Sequence, residues 1–148
     1  MKLQNKSLKN YQAAYFPWGE RLFLCVAVLL AYASVWPNGF VFDDIPQIVR
    51  NDLLKSWSGL AELLTTVKHD DGLIAGFYRP VQLLVYFILY QIFGLSAVAF
   101  HVLNAVLHML NACLLHRFGL KAGFTRGVAF AAALVWALHP LHTINVAY

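Results

Sequence analysis

Three long apolar runs limit what this sequence can fold into more than any other feature. They predict membrane-spanning helices over residues 22–37, over residues 95–116 and from residue 127 toward 148, since about 20 apolar residues are needed to cross a bilayer. The whole chain is 60% hydrophobic and 12% charged, with a mean hydropathy of +0.61. That is too much apolar surface for one ordinary soluble domain. We therefore expect an all-α integral membrane protein.

A fourth apolar run, residues 81–94, is short for a crossing and contains Gln82 and Gln91. It is predicted to be an interfacial or re-entrant helix. The distribution of charge also favours a helix that does not cross. A crossing by residues 81–94 would put the bases of residues 117–126 on the outer face, against the positive-inside rule. We expect three crossings and one short helix that does not span, with four crossings as the alternative.

The distribution of charge sets the expected orientation. Four basic residues precede the first crossing, and six of the seven acids fall between Asp43 and Asp71. Residues 1–21 and the basic loop 117–126 are therefore predicted to be cytoplasmic, and the loop 38–80 extracytoplasmic. The basic clusters suit anionic lipid headgroups. They lack the interleaved aromatic residues of a nucleic-acid groove, so no nucleic-acid partner is expected.

The extracytoplasmic loop is too long to be structureless and is predicted to carry amphipathic surface helices. Pro46 suits the first turn of one helix. Ser56 or Ser58 can cap a second helix, whose apolar stripe runs to Val67.

Asp43 and Asp44 lie just beyond the first crossing, where a charge costs far less than in the hydrocarbon. Three interpretations of this pair are open. The acids can cap a helix or begin a solvated loop, supply hard oxygen ligands to a divalent cation, or act as a general base tuned by its like-charged neighbour. Two acids make a weak metal signature, so no metal site is assigned, although a divalent cation stays open.

Four polar residues share one face of the second crossing: His101, Asn104, His108 and Asn111. Such a stripe is typical of a hydrogen-bonding seam between helices. His101 lies nearest the outer face and can border a substrate site. Arg79, at the return to the membrane, can pair with a loop carboxylate or bind a lipid phosphate.

His139 and His142 have the spacing of a ligand pair, yet Pro140 between them favours a helix end. Cys25 and Cys113 lie in apolar runs and are expected to form no disulfide and no metal site. The sequence has no phosphate-binding glycine loop, nucleophile elbow or paired-cysteine motif.

Several short motifs occur in an order that resembles one family. They are Gly39-Phe40-Val41-Phe42-Asp43-Asp44 followed by Ile48 and Asn51, then Tyr78-Arg79-Pro80, then His101-Val102-Leu103-Asn104 with His108, and then Ala137-Leu138-His139-Pro140-Leu141-His142-Thr143. Over residues 20–148 the chain is similar to the amino-terminal part of the transmembrane and tetratricopeptide-repeat O-mannosyltransferases and their bacterial relatives. These enzymes lie within the GT-C superfamily of glycosyltransferases that use lipid-linked sugars.

This resemblance implies a partial GT-C-type bundle and a glycosyltransferase activity. The sugar, mannose being one option, would pass from a polyprenyl- or dolichyl-phosphate donor to a hydroxyl of a protein or glycan acceptor on the extracytoplasmic side. Asp43 or Asp44 would take the catalytic acid-base position, and Arg79 would bind the lipid phosphate. His139 and His142 would line a second loop near the site as substrate-binding residues, together with His101. The implied location is multi-pass, in the plasma (inner) membrane of a bacterium or the endoplasmic reticulum of a eukaryote.

Two departures from the family pattern matter. Relatives commonly read His-Pro-x-His-x-Glu where this chain has Ile144. They also continue through further crossings and often through a tetratricopeptide-repeat region, and no such repeat appears here. We therefore expect a fragment, or one piece of a split protein, that is inactive alone. The alternatives are a non-catalytic membrane subunit or degenerate fragment, and, on the polar stripe only, a transporter component.

Overall fold

The computed structural model describes residues 18–65 and 79–147, and every regular element within these ranges is helical. Six α-helices follow one another: α1 Trp18–Ala31, α2 Leu60–Thr65, α3 Pro80–Phe93, α4 Ala97–Lys121, α5 Arg126–Ala137 and α6 Thr143–Ala147. Between them lie the 3₁₀ turns Ala33–Val35, Asp52–Leu54, Trp57–Gly59 and Pro140–His142 and the π-helical turn Ile45–Val49. The expected all-α fold class is confirmed for the described part of the chain.

The longest helix, α4, overlaps the second predicted crossing. Its 25 residues, at about 1.5 Å each, extend about 37 Å and exceed a hydrocarbon core of about 30 Å. Among the described helices it is the one that is long and apolar enough to span a membrane. It continues beyond the predicted end at residue 116 because its stop signal is Gly123, which has a φ of +92°. Gly123 and Phe124 donate to the Leu120 and Gly119 carbonyls in a Schellman motif.

The other apolar helices are shorter than the hydrocarbon core. Helices α1 and α3 have 14 residues each and α5 has 12, which gives about 18 to 21 Å. Helix α1 begins at Trp18, ahead of the predicted limit at residue 22, and passes into a 3₁₀ turn before Pro37, which cannot continue a helix. The three-crossing arrangement stays a prediction.

The described chain forms two compact units, of which the first comprises residues 18–31 and 108–139. Most of its buried apolar side chains are small: Ala112 of α4 and Ala129, Ala133 and Ala137 of α5, beside Leu24 and Val28 of α1. Small side chains let helices approach closely. The packing is tight at Gly119, where an added Cβ would lie 3.0 Å from the Ala129 Cβ.

Polar side chains also join helices within the first unit. His108 Nε2 lies 2.8 Å from the carbonyl oxygen of Ala137, and its ring stacks on Trp136. The seam predicted from the sequence is thereby confirmed at His108, whereas Asn111 is exposed. Cys25 and Cys113 are free thiols with their Sγ atoms 3.9 Å apart.

The second unit comprises residues 32–107 and 140–147 and has a large-side-chain core. Its fully buried members are Ile48, Leu54, Leu63, Phe87 and Phe100. Trp57 packs edge-on against Phe87 with the ring centres 5.0 Å apart. Gln91 Nε2 donates to the Leu54 carbonyl at 2.7 Å, which joins α3 to the loop.

Helical elements are present where the sequence predicted the two loop helices, and they are shorter than predicted. The helix expected at Pro46 is the π-helical turn Ile45–Val49. It stops because the Asn51 side chain donates to the Gln47 carbonyl and accepts from the Leu53 N–H, both at 3.2 Å, and so replaces helical hydrogen bonds. The second helix starts as a 3₁₀ turn and continues as α2, and Val67 lies outside the described residues.

Replacing Gly59 with alanine should destabilise the second unit. The added Cβ would lie 2.6 Å from the Leu53 carbonyl oxygen, so the backbone must shift at a cost of about 1 to 3 kcal/mol. Thermal unfolding of the detergent-purified protein, followed by circular dichroism, measures the loss. Gly127→Ala is the matched control, because nothing lies within 4 Å of that Cβ and alanine favours a helix. An unfolding temperature for Gly59→Ala at or above the wild-type value would contradict this packing.

Candidate functional site

An open cleft of about 1020 Å³ lies in the second unit. Its walls come from the loop before the π-helical turn, from that turn, from α3, from the first part of α4 and from α6. The polar lining residues are Asp43, Asp44, Gln47, Arg79, Gln82, Tyr86 and Asn104. The apolar lining residues are Phe42, Pro80, Val81, Val85, Leu89, Phe100, Leu103, Leu107 and Ile144. A cleft with this mixture suits a ligand that has both a polar and an apolar part.

Asp43 and Asp44 enter the cleft from a tight turn. Phe42, just before them, has a φ of +44°, in the left-handed region that costs an ordinary residue about 1 to 2 kcal/mol. The Asp44 N–H donates to the Val41 carbonyl at 3.0 Å, and Asp44 Oδ2 accepts from the Val41 N–H at 3.3 Å. Asp43 is exposed, whereas Asp44 is only 5% exposed. The two adjacent carboxylates therefore have different surroundings.

Burial raises the pKa of the Asp44 carboxyl above its ordinary value. The Val41 N–H and the His101 imidazole act against this increase, and the charge of Asp43 adds to it. Asp44 occupies the cap position of the π-helical turn, but its side chain makes no capping hydrogen bond to that turn. Within residues 18–65 and 79–147, no group of three or more His, Cys, Asp or Glu side chains could hold a metal ion.

His101 fixes the acid-bearing loop to α4. The side chain is 1% exposed, and Nε2 lies 3.2 Å from the carbonyl oxygen of Asn38. A carbonyl only accepts, so Nε2 carries a proton and donates to Asn38. Nδ1 is buried, and no described residue forms a hydrogen bond with it.

A chain of polar contacts runs along α3. Arg79, Gln82 and Tyr86 are three and four residues apart, so they share one helix face. Arg79 Nη1 lies 3.5 Å from Gln82 Oε1. Gln82 Nε2 lies 2.6 Å from the Tyr86 hydroxyl and 3.4 Å from Gln47 Oε1. Gln82 thus connects the cation at the start of α3 with the π-helical turn.

Three predicted site residues line the same cleft: Asp43, Asp44 and Arg79. His101 does not line it but holds the loop that carries the two acids. His139 is an exposed residue of the first unit, and His142 is half-buried in the second. Neither is among the described residues that form the walls of the cleft.

Other residues of the cleft were not predicted from the sequence as site residues. Asn104 was expected in a helix seam and lines the cleft instead. Gln82 and Tyr86 could have been found from their spacing relative to Arg79. Gln47 gave no such signal, because its contact depends on how the π-helical turn packs on α3.

Comparison with known proteins finds relatives among the protein O-mannosyl-transferases. The chain is 31% identical over 137 residues to protein O-mannosyl-transferase TMTC1 of Mus musculus and 30% identical over 149 residues to TMTC4 of the same species, with 88% of the chain covered in each case. A protein O-mannosyl-transferase of Caenorhabditis elegans is 26% identical over 133 residues, or 85% of the chain. The chain is a distant homologue of the TMTC protein O-mannosyl-transferases.

This homology confirms the resemblance inferred from the order of the motifs. The chain spans only 14%, 20% and 19% of the lengths of these three O-mannosyl-transferases, respectively. No family model and no solved structure matches it.

Replacing Asp44 with asparagine in this O-mannosyl-transferase homologue should change how stability depends on pH. Since the folded pKa of Asp44 is raised, the folded state binds more protons than the unfolded state between the two pKa values, and wild-type stability falls as pH rises through that window. The window opens near the unfolded pKa of about 3.9. Asparagine keeps an acceptor for the Val41 N–H without the buried charge.

The unfolding temperature of Asp44→Asn relative to wild type should therefore increase from pH 4 to pH 7. Thermal unfolding across this range measures the difference. Asp43→Asn is the control, because Asp43 is exposed and the buried Asp44 charge stays in place. A difference between Asp44→Asn and wild type that does not change with pH would contradict the burial cost assigned to Asp44.

Proposed function

We propose that this chain is the amino-terminal portion of a membrane glycosyltransferase that transfers a sugar, mannose by homology, from a polyprenyl- or dolichyl-phosphate donor to a hydroxyl acceptor. The observation that carries the proposal is that Asp43, Asp44 and Arg79 line one cleft in a chain homologous to protein O-mannosyl-transferases. The acceptor is a protein or glycan, and the reaction takes place on the extracytoplasmic side. The bundle is a partial GT-C-type fold with three crossings.

Contacts within the first unit support three crossings. Arg126 at the start of α5 pairs with Glu20 near the start of α1, and His116 Nε2, near the end of α4, lies 3.1 Å from Glu20 Oε2. Such contacts require these three helix ends to lie at one membrane face, which the positive-inside rule makes cytoplasmic. If α1 and α4 both cross, a further crossing by α3 would place Arg126 on the other side of the membrane from Glu20. The pairing therefore favours a non-spanning α3.

The lining of the cleft suits a lipid-linked donor. Leu89, Leu103 and Leu107 provide apolar surface for the first isoprene units. The Arg79 guanidinium can bind the phosphate with two hydrogen bonds. When the bond between the anomeric carbon and the phosphate oxygen breaks, negative charge grows on the leaving phosphate and is stabilised by Arg79.

Asp43 takes the role of general base. Its exposed carboxylate accepts the proton of the acceptor hydroxyl while that oxygen forms its bond to the anomeric carbon. Asp44 is buried and bonded to Val41, so it acts on Asp43 through charge. His101 positions the loop, and no chemical step is assigned to His139 or His142.

One observation favours a second candidate, a non-catalytic membrane subunit. Ile144 lines the cleft at the position where the family pattern has glutamate, so this site has one carboxylate fewer than the resemblance implies. An Ile144→Glu variant separates the two functions. Gain of transfer activity by this variant over an inactive wild type would support the non-catalytic candidate for the natural chain.

In an active protein that contains this chain as its amino-terminal portion, replacing either acid should lower transfer of mannose from dolichyl phosphate mannose to a peptide acceptor. We expect Asp43→Asn to reduce the rate by about 10²- to 10⁴-fold, the usual effect of losing a general base. Asp44→Asn should reduce the rate less, because Asp44 acts only through its charge. Asp52→Asn is the control, because Asp52 is an exposed acid of the same loop outside the cleft. Equal rates for wild type and the Asp43 and Asp44 variants would remove the catalytic assignment.

Cysteine labelling tests the proposed sidedness. In a background with Cys25 and Cys113 changed to alanine, Ala61→Cys should react with an impermeant maleimide added outside the membrane. Ala122→Cys should react only after permeabilisation. Both positions are exposed. Reaction of Ala122→Cys from outside would refute the three-crossing arrangement.

A further inference from the structure

We propose that Gln47, Gln82 and Tyr86 form a sugar-recognition wall, which binds the hydroxyl groups of the transferred sugar, and that Arg79 sets the orientation of this wall through Gln82. The inference rests on the proposed function, since it assigns residues to the sugar part of the same lipid-linked donor. All four side chains line the cleft that contains Asp43 and Asp44.

The guanidinium of Arg79 fixes which way both amides point. A guanidinium has donors and no acceptor, so Gln82 turns Oε1 toward Arg79 Nη1, 3.5 Å away. Gln82 Nε2 then faces Tyr86 and Gln47 and donates to the Tyr86 hydroxyl at 2.6 Å and to Gln47 Oε1 at 3.4 Å. Both N–H groups of Gln82 are thus used within the protein.

The groups left to face a ligand are donors. Gln47 uses its side-chain oxygen toward Gln82, which leaves its NH₂ group for the cleft. Tyr86 accepts from Gln82 and retains its own hydroxyl proton to donate. A donor pair therefore shares the cleft with the carboxylates of Asp43 and Asp44, which accept.

This arrangement matches a polyol better than a bare phosphate. A sugar hydroxyl can donate and accept at the same time. Neighbouring hydroxyls can donate to an Asp43 oxygen while they accept from Gln47 or Tyr86. A bare lipid phosphate has acceptors only, so it cannot donate to the Asp43 and Asp44 oxygens and would meet them with like charge. Sites built to bind hydroxyl groups discriminate strongly against ligands that lack the matching hydroxyl. Gln82 itself is a positioning residue, because both its donors are used inside the wall.

Binding to two probes tests the wall. The full chain in lipid nanodiscs is titrated with dolichyl phosphate mannose and with dolichyl phosphate, and the ratio of the two dissociation constants is recorded. Gln82→Met, which keeps the length of the side chain and removes its hydrogen bonds, should reduce the preference for the mannosylated lipid about tenfold and change the affinity for dolichyl phosphate less than about twofold. Gln47→Met should reduce the preference as well.

A double variant gives a result that loosening of the fold would not produce. If Gln82 acts by orienting Gln47, the Gln82→Met/Gln47→Met protein should lose no more preference than Gln82→Met alone, whereas independent effects would add. Gln91→Met is the matched control on the same helix. It breaks the bond to the Leu54 carbonyl, so it should lower the unfolding temperature and leave the preference unchanged.

The outcomes separate this inference from the proposed function. An unchanged preference in Gln82→Met, an equal loss in Gln91→Met, additive losses in the double variant, or equal binding of the two probes by wild type would each overturn the sugar-recognition wall. Wild-type protein that binds neither probe would overturn the proposed function and this inference with it.

Discussion

The hydrogen bond from His101 to the Asn38 carbonyl is the contact on which the site depends. It joins the loop that carries Asp43 and Asp44 to α4, the described helix with the length and composition to span a membrane. An imidazole on an apolar helix is costly unless it is bonded. The His101 side chain is only 1% exposed. Loss of its hydrogen bond to the loop would therefore destabilise the second unit. The hydrogen bond between His101 and Asn38 thus determines the position of the turn that carries Asp43 and Asp44.

Burial gives two adjacent carboxylates different surroundings. Asp44 is enclosed and bonded to Val41, whereas Asp43 is exposed. Burial raises the pKa of the Asp44 carboxyl, and the charge of Asp43 adds to this increase. Two identical adjacent residues thus differ in exposure, in hydrogen bonding and in the cost of ionisation.

The amount that could be predicted from the sequence varies with the kind of signal. Apolar runs and proline positions were enough for the helical fold, and the order of motifs was enough for the homology. The end of α4 was missed because charge at residue 117 suggested a loop, whereas the left-handed Gly123 stops the helix. The different surroundings of Asp43 and Asp44 and the contact between Gln47 and Gln82, 35 residues apart, depend on tertiary packing. Local periodicity contains no information about such packing.

The most direct test of the account is to identify where a lipid-linked sugar binds. A polyprenyl phosphate mannose with a photoreactive diazirine on its first isoprene unit would be irradiated with the membrane-embedded chain, and the modified residues would be identified by mass spectrometry. If the donor binds in the cleft, adducts should form at Leu89, Leu103 or Leu107 and should disappear when unlabelled donor is added. Adducts confined to the exposed face of α5, at Val128 and Val135, with no effect of the competitor, would contradict the account.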